Sequence, residues 1–306
     1  MILKRPTLQQ KKLIRTFVLV LLGVVCIWIV ADAIHNHQLK LQRESKEWRT
    51  SHLFPRTWND ILEHDTLRAV CSYNHTDYFV EGDTVKGFQY EMIHAFAKEY
   101  GLQVVITPEM NKEKQIKDLL EGKYDMIIGP IAATEQMNDS LLFTIPLIRM
   151  RQLLIQRKRD PSATQQDIEL GRVSPYIKNL YQLGGRHITV ANDSAAISRI
   201  KHLSEEIGEP IYVDVIKNYG PEQLMQMVAH HEIDYTVAPE NIAMAVIDSL
   251  PQLDSNRPIS FTQLYAWGIP TRDSLLLNVV NQWLAVELQS REYKALYKKY
   301  HLEKEN

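Results

Sequence analysis

The chain of 306 residues has almost no cysteine: Cys26 lies in an apolar N-terminal run and Cys71 in a segment of strand character. The folded part therefore has no second thiol with which to form an internal disulfide, and cysteine usage says nothing about redox compartment. No run of basic residues occurs in the globular part, and 35 Lys+Arg against 37 Asp+Glu leave a net charge of −2. Without a basic stripe there is nothing to track a phosphate backbone, so nucleic acid is not expected as a partner. P-loop, GxSxG and CxxC patterns are missing, which removes phosphate-cradling, serine-elbow and dithiol chemistry from consideration. Metal-ligand spacing is missing too. His35 and His37 fall in a charged spacer, and His230 and His231 end a helical segment where their partial positive charge suits the helix dipole. Neither a metal nor any other cofactor is expected.

Long hydrophobic runs are also scarce, with one exception near the N-terminus. Residues 16 to 31, "TFVLVLLGVVCIWIVA", carry no charge and follow Lys4, Arg5, Lys11, Lys12 and Arg15. As a helix rising ~1.5 Å per residue this run nearly crosses the hydrocarbon layer, and Arg15 and Asp32 complete the span by snorkelling. Basic residues ahead of it keep the N-terminus in the cytoplasm and export the remainder. The reading is a single-pass anchor in the inner membrane with the folded part in the periplasm. A cleaved signal peptide is the alternative, for which "ADA" at 31 to 33 offers a site, and a lipid-modified Cys26 is a third.

The remainder divides by pattern. Residues 1–34 form the basic stub and anchor, and residues 35–58 a charged linker in which no core is expected. From Thr66 onward, β-branched apolar runs alternate with segments of helical period, which predicts an α/β fold built from βαβ units. "LRAVCS", "QVVIT" and "YDMIIG" read as strands, and "RMRQLLIQRK" as one more. Between them lie helices near 88–100, where Phe88, Met92, Ile93, Phe96 and Tyr100 share one stripe, and near 112–121. A second series repeats the order with "HITVA", "SAAISRIKHLSEE", "IYVDVI", "PEQLMQMVAHHE" and "DYTVAP". "ISFTQLYAWGIPT" then reads as extended, and 274–300 as two helices. Two similar halves predict two lobes, with a cleft faced by the ends of parallel strands.

Six pieces in this order resemble the family 3 solute-binding proteins and, within them, the N-terminal sensor-like module of the membrane-bound lytic transglycosylases F. They are "TLRAV", "GFQYEMIHAFAKEYGL", "LLEGKYDMIIG", "FTIP", "HITVANDSAA" and "HHEIDYTVAPENIA", spread over about residues 60 to 302. The resemblance implies a type II, periplasmic-binding-protein-like fold of two hinged lobes. Lobe 1 would hold 59–148 and 262–306, and lobe 2 would hold 149–261. It also implies closure around a small solute by a shift between open and closed populations.

Transferred onto this chain, the resemblance assigns ligand contacts residue by residue. The loop after the first strand would contribute Asn74, Tyr78 and Phe79, the rings clamping the solute; the plain alternative is that such rings are core. In lobe 2, Asn192, Asp193 and Ser194 precede a helix whose start receives an anionic group; an ordinary N-cap looks the same in sequence. Glu240 falls where the family binds a ligand amino group. In "GPIAATEQMNDS", Pro130 and Ala132 take the small polar positions, Thr134 begins the family's Thr-x-x-Arg, and Met137 stands where the arginine would. A thioether cannot pair with a carboxylate. Either Arg149 or Arg151 substitutes, or the ligand is not a free α-amino acid.

The function expected is a non-catalytic, membrane-anchored binding module for a peptide, an amino-acid-like solute or a cell-wall fragment, with a transporter or cell-wall enzyme as a further partner. A scaffold without a ligand is the alternative. An enzyme is the third reading. A lytic transglycosylase would need a further domain with a general-acid glutamate, and a cyclohexadienyl dehydratase-like site would have to draw on Glu240, Asp193 and His75, of which His75 has no partner identifiable in sequence.

Overall fold

The computed structural model describes residues 55–132 and 140–302. The described chain opens with α1 (Trp58–Glu63), β1 (Thr66–Cys71), the hairpin strands β2 (Phe79–Glu81) and β3 (Thr84–Lys86), and α2 (Phe88–Glu99). It continues through β4 (Gln103–Pro108), α3 (Lys112–Leu120), β5 (Met126–Ala132), β6 (Leu141–Phe143) and β7 (Ile148–Met150). A second group follows with β8 (Gln152–Arg157), the short α4 (Gln165–Glu169), β9 (His187–Ala191) and α5 (Ser194–Ile207). Then come β10 (Tyr212–Ile216), α6 (Pro221–Ala229), β11 (Tyr235–Pro239), α7 (Glu240–Val246) and β12 (Leu253–Pro258). The chain closes with β13 (Gln263–Pro270), α8 (Ser274–Glu287) and α9 (Arg291–Lys299).

Two mixed sheets result. The first has the order β4-β1-β5-β13-β6 with β7 also on β13, and the second has the order β10-β9-β11-β8-β12. In each, the βαβ strands run parallel, β1 with β4 and β5, and β9 with β10 and β11. The strands that arrive from the other group, β13 and β8, pair antiparallel with them. The segment "RMRQLLIQRK" is expected as one strand but is broken at Arg151, where β7 belongs to the first sheet and β8 to the second. Only the β7 half alternates, Arg149 being exposed between buried Ile148 and Met150, because β8 lies inside the second sheet and is buried from Gln152 through Gln156. The return passes between β12 and β13, so two connections join the lobes.

Each lobe has its own core. In the first, the stripe on α2 buries Phe88, Met92, Ile93 and Phe96 at 0–1 % exposure against β1, β5 and α8. A fully buried side chain of this size contributes roughly 1.5–3 kcal/mol. Trp58, assigned to the linker by its sequence context, belongs to this core; it is 6 % exposed and meets Tyr100 edge-on at 5.2 Å. In the second lobe, Leu154, Ile188, Val190, Ile200, Leu203 and Val237 form the equivalent layer.

The two halves repeat a device at the entry to their third strand. Gly122 (φ 83°) and His231 (φ 64°) turn the chain left-handed after α3 and α6. Asp125 and Asp234 follow three residues later and bind arginine. Asp125 is 1 % exposed and takes Arg68 N–H at 2.7 Å and the Arg68 guanidinium at 2.8 Å, with Arg56 on its other side. Asp234 takes Arg157 at 2.6 Å. Among the described residues no helix is long and apolar enough to cross a membrane; the run at 16–31 lies outside them.

Candidate functional site

The turns that follow β1, β4, β9 and β10, together with Pro130 near the end of β5 and the junction of β11 with α7, converge on one cavity between the lobes, enclosing about 570 Å³ of empty space with its open mouth included. The carboxyl ends of parallel strands are where open α/β sheets bind ligands. The first lobe contributes Tyr73, Asn74 and Asp77 after β1, Met110 and Lys112 around the start of α3, and Pro130 in β5. Across from them stand Asn192 and Asp193, Tyr219 with Gly220, and Ile242. Met150 and Tyr265, beside the two connections, line it as well. A second hollow of about 340 Å³ shares Lys112, Pro130 and Asp193 with the first.

The loop after β1 is organised by Asn74. Its Oδ1 accepts from Thr76 N (2.9 Å), Thr76 Oγ1 (2.9 Å) and Asp77 N (2.7 Å), while its Nδ2 donates to Asp77 Oδ2 (2.8 Å). The loop carbonyls then cap α2: Phe88 N–H donates to Thr76 O, and Gln89 N–H and Tyr90 N–H donate to Asp77 O. This satisfies N–H groups that the first turn of a helix leaves unpaired. Burial pushes the Asp77 carboxyl above its usual range, against the hydrogen bond from Asn74 that lowers it.

The remaining sequence-derived candidates divide. Asn74, Pro130, Asn192 and Asp193 line the cavity. Asp193 is also the N-cap of α5, its side chain accepting from Ala195 N–H at 2.9 Å, and Ser194 opens that helix. Thr134 and Met137 lie outside the described residues. Tyr78 and Phe79 are placed away from the lining, because the chain turns into β2. Tyr78 rests edge-on against Tyr73 and Tyr90, and Phe79 lies between His75 and Tyr300. Arg151 and Glu240 also lie outside the lining and engage one another: Arg151 Nε donates to Glu240 Oε2 at 3.0 Å and Nη2 to Oε1. Such a bidentate pair occupies both carboxylate oxygens.

Sequence reasoning passed over Asp77, Met110, Lys112, Met150, Tyr219 and Tyr265. The turns "PEMNKE" and "KNYGPE" follow predicted strands, so the rule of carboxyl strand ends points to Met110, Lys112 and Tyr219. Nothing local marks Tyr265, whose place in the cavity is set by the return connection. Burial pushes its phenol well above the ordinary value, and its OH accepts from Gln152 Nε2 across the two sheets at 2.9 Å.

Several side chains join the lobes directly. His75 N–H and Nδ1 each lie 2.8 Å from Glu222 on α6, which supplies the partner that His75 lacks in sequence. Asn241 Nδ2 on α7 donates to Thr76 Oγ1 at 3.1 Å, and Lys217 reaches Glu113 at 3.3 Å. Among the described residues no group of three or more His, Cys, Asp or Glu side chains is placed to hold a metal ion.

Two α/β lobes, two connections and a cavity at the strand ends define the type II solute-binding architecture. The chain matches the bacterial extracellular solute-binding proteins, family 3, over residues 69–303, and it belongs to that family. Among curated proteins it is similar to the membrane-bound lytic murein transglycosylase F of Desulfosudis oleivorans, at 25 % identity over 79 % of this chain and 50 % of the relative. The protein of the same name from Shewanella woodyi is also 25 % identical, over 72 % of this chain and 43 % of its own length. The chain thus spans about half the length of these relatives. Among solved structures, an arginine-binding protein of T. maritima superposes with a TM-score of 0.65 at 20 % identity, covering 80 % of this chain and 99 % of that one. An ancestral arginine-binding protein bound to arginine gives 0.65 at 22 %, covering 77 % and 98 %. At these identities the likeness shows the fold.

Proposed function

We propose that the chain is a membrane-anchored, non-catalytic binding module that works in the periplasm, held to the inner membrane by the run at 16–31, and closes its two lobes on a small solute. The observation that carries this reading is the cavity at six strand ends, lined from both lobes in a chain of a solute-binding family. A cleft whose walls belong to two bodies joined by two connections binds best when closed, so ligand contacts to both walls shift the population toward closure. The similarity to transglycosylase F relatives favours a peptide, an amino-acid-like solute or a cell-wall fragment as ligand, and a cell-wall enzyme or transporter as the partner that senses closure. Native mass spectrometry of the full chain purified in mild detergent, followed by thermal shift with the molecule found, tests the reading. A bound small molecule that raises the melting temperature without being converted supports it. Turnover of that molecule overturns the non-catalytic part.

The scaffold reading is favoured by a separate observation, the contacts through which the lobes hold one another without an intermediary, His75 with Glu222 and Asn241 with Thr76. If substitutions of cavity residues leave the cellular phenotype intact while changes on the outer surface abolish it, the scaffold replaces the binding module.

A further inference from the structure

Among the described residues that line the cavity, Lys112 is the cation. It opens α3, where a positive charge opposes the helix dipole, and its side chain is only half-buried. Its Nζ lies 3.3 Å from the point where a Cβ on Gly129 would stand, so the absence of a side chain there leaves room for the ammonium. Among the described residues it forms no ion pair or hydrogen bond, whereas Arg151 is occupied by Glu240 and Lys114 and Lys217 are held by Glu109 and Glu113. The other wall has an equally unspent donor. Asn192 Nδ2 is shielded from solvent and has no hydrogen-bond partner, and Asn192 lines the same cavity. A buried donor without an acceptor is costly, and a bound acceptor group relieves that cost. Among the described residues the carboxylates nearby are committed by hydrogen bonds: Asp193 caps α5, and Asp77, whose charge Lys112 favours from a distance, is held by Asn74 and Gln89.

We infer that Lys112 and Asn192 form a two-lobed clamp for an anionic acceptor group, a carboxylate, on the ligand, with Lys112 as the specificity-determining charge. This rests on the solute-binding reading and deepens it. An ammonium and a carboxamide donor on opposite walls are both satisfied only when the lobes close on the shared acceptor, which links charge selection to closure. The ligand's positive group, where it has one, is not needed for this anchor.

The test is a thermal-shift and calorimetric panel on the full chain, with the twenty amino acids, their N-acetyl derivatives and their amides as probes. The three forms separate the carboxylate from the ammonium. The expected result is binding of at least one N-acetyl derivative or parent acid, no binding of the matching amide, and a loss of about tenfold or more in affinity in Lys112→Met with recovery in Lys112→Arg. Gly129→Ala, which crowds the ammonium, weakens the same probe, and Asn192→Leu weakens it with the fold intact by circular dichroism. An amide that binds as tightly as its acid, or a folded Lys112→Met with unchanged affinity, overturns the clamp and leaves the binding module standing. A panel in which nothing binds overturns the binding module as a receptor for these solutes and the clamp with it.

Discussion

His75 and Glu222 meet across the cleft through two contacts of 2.8 Å, one from the His75 backbone N–H and one from its ring, so that both carboxylate oxygens of a residue on one lobe are used by the loop of the other. Glu222 is 6 % exposed and sits in the first turn of α6, where the helix dipole favours its charge. On the hinge-closing reading this pair acts only in the closed form. Hydrogen bonds to a charged group are worth roughly 1.5–3 kcal/mol, so Glu222→Ala should lower the closed population by about tenfold or more without a comparable loss of fold stability. Small-angle scattering on the full chain in detergent, or energy transfer between labels on the two lobes, reads the change as an increase in lobe separation. Glu222→Gln keeps an acceptor for the backbone N–H and should fall between. An Ala variant with unaltered separation shows that the pair is incidental to closure.

Arg151 and Glu240 give the opposite expectation. Glu240 stands where the family resemblance implies contact with a ligand amino group, but its carboxylate is clamped by Arg151, and its own N–H donates to Arg151 O at 3.0 Å. The side chains are 31 % and 22 % exposed, so solvent screens the pair. Glu240→Ala should cost about 1 kcal/mol of stability in urea denaturation and leave solute affinity unchanged. A large affinity loss with little change in stability would return Glu240 to the binding site.

These two pairs mark what sequence could reveal. The α2 stripe of Phe88, Met92, Ile93 and Phe96 is legible because helical period and burial are the same fact seen twice. The turns at Asn74, Asn192 and Asp193 are legible because the family resemblance points to them and because they follow strands that the pattern of β-branched runs already places. The partner of His75 lies 147 residues away on the other lobe, and that of Arg151 lies 89 residues away. No local period encodes such pairs. The break at Arg151 was hidden for a related reason: both halves of the run are strands, and only the sheet each joins differs.

Gly87 is the residue on which the loop after β1 is seated. It has φ 134°, a region that side chains avoid, and a Cβ there would overlap the Asp77 carbonyl and stand 2.7 Å from Tyr78 N. These are the backbone groups that bring the cavity loop onto the start of α2. Gly87→Ala should therefore destabilise by about 3 kcal/mol or more and raise hydrogen exchange across 74–78. Gly82→Ala is the control: its φ of 61° is strained, yet nothing lies within 4 Å of its Cβ, so a loss of about 1 kcal/mol is expected. Equal losses in the two variants would mean that close packing at Gly87 contributes nothing.

Tyr235 links the second lobe's core to alkaline stability. It is 3 % exposed, its OH donates to Pro175 O at 2.5 Å, and burial pushes its phenol from 10.0 up to about 12. Below pH 10 both folded and unfolded chains keep the proton. Between roughly pH 10 and 12 the unfolded chain loses it first, so the folded state binds more protons and stability falls as pH rises. At about 1.4 kcal/mol per unit the loss reaches about 3 kcal/mol across that window. Tyr265 and Tyr293, also raised by burial, add to the slope in the same direction. Tyr235→Phe should lose about 1 kcal/mol at neutral pH with its hydrogen bond, yet fall less steeply than the parent between pH 10 and 12. Urea denaturation at intervals of pH reads both effects, and parallel curves for parent and variant would show that the buried phenol does not carry the alkaline loss.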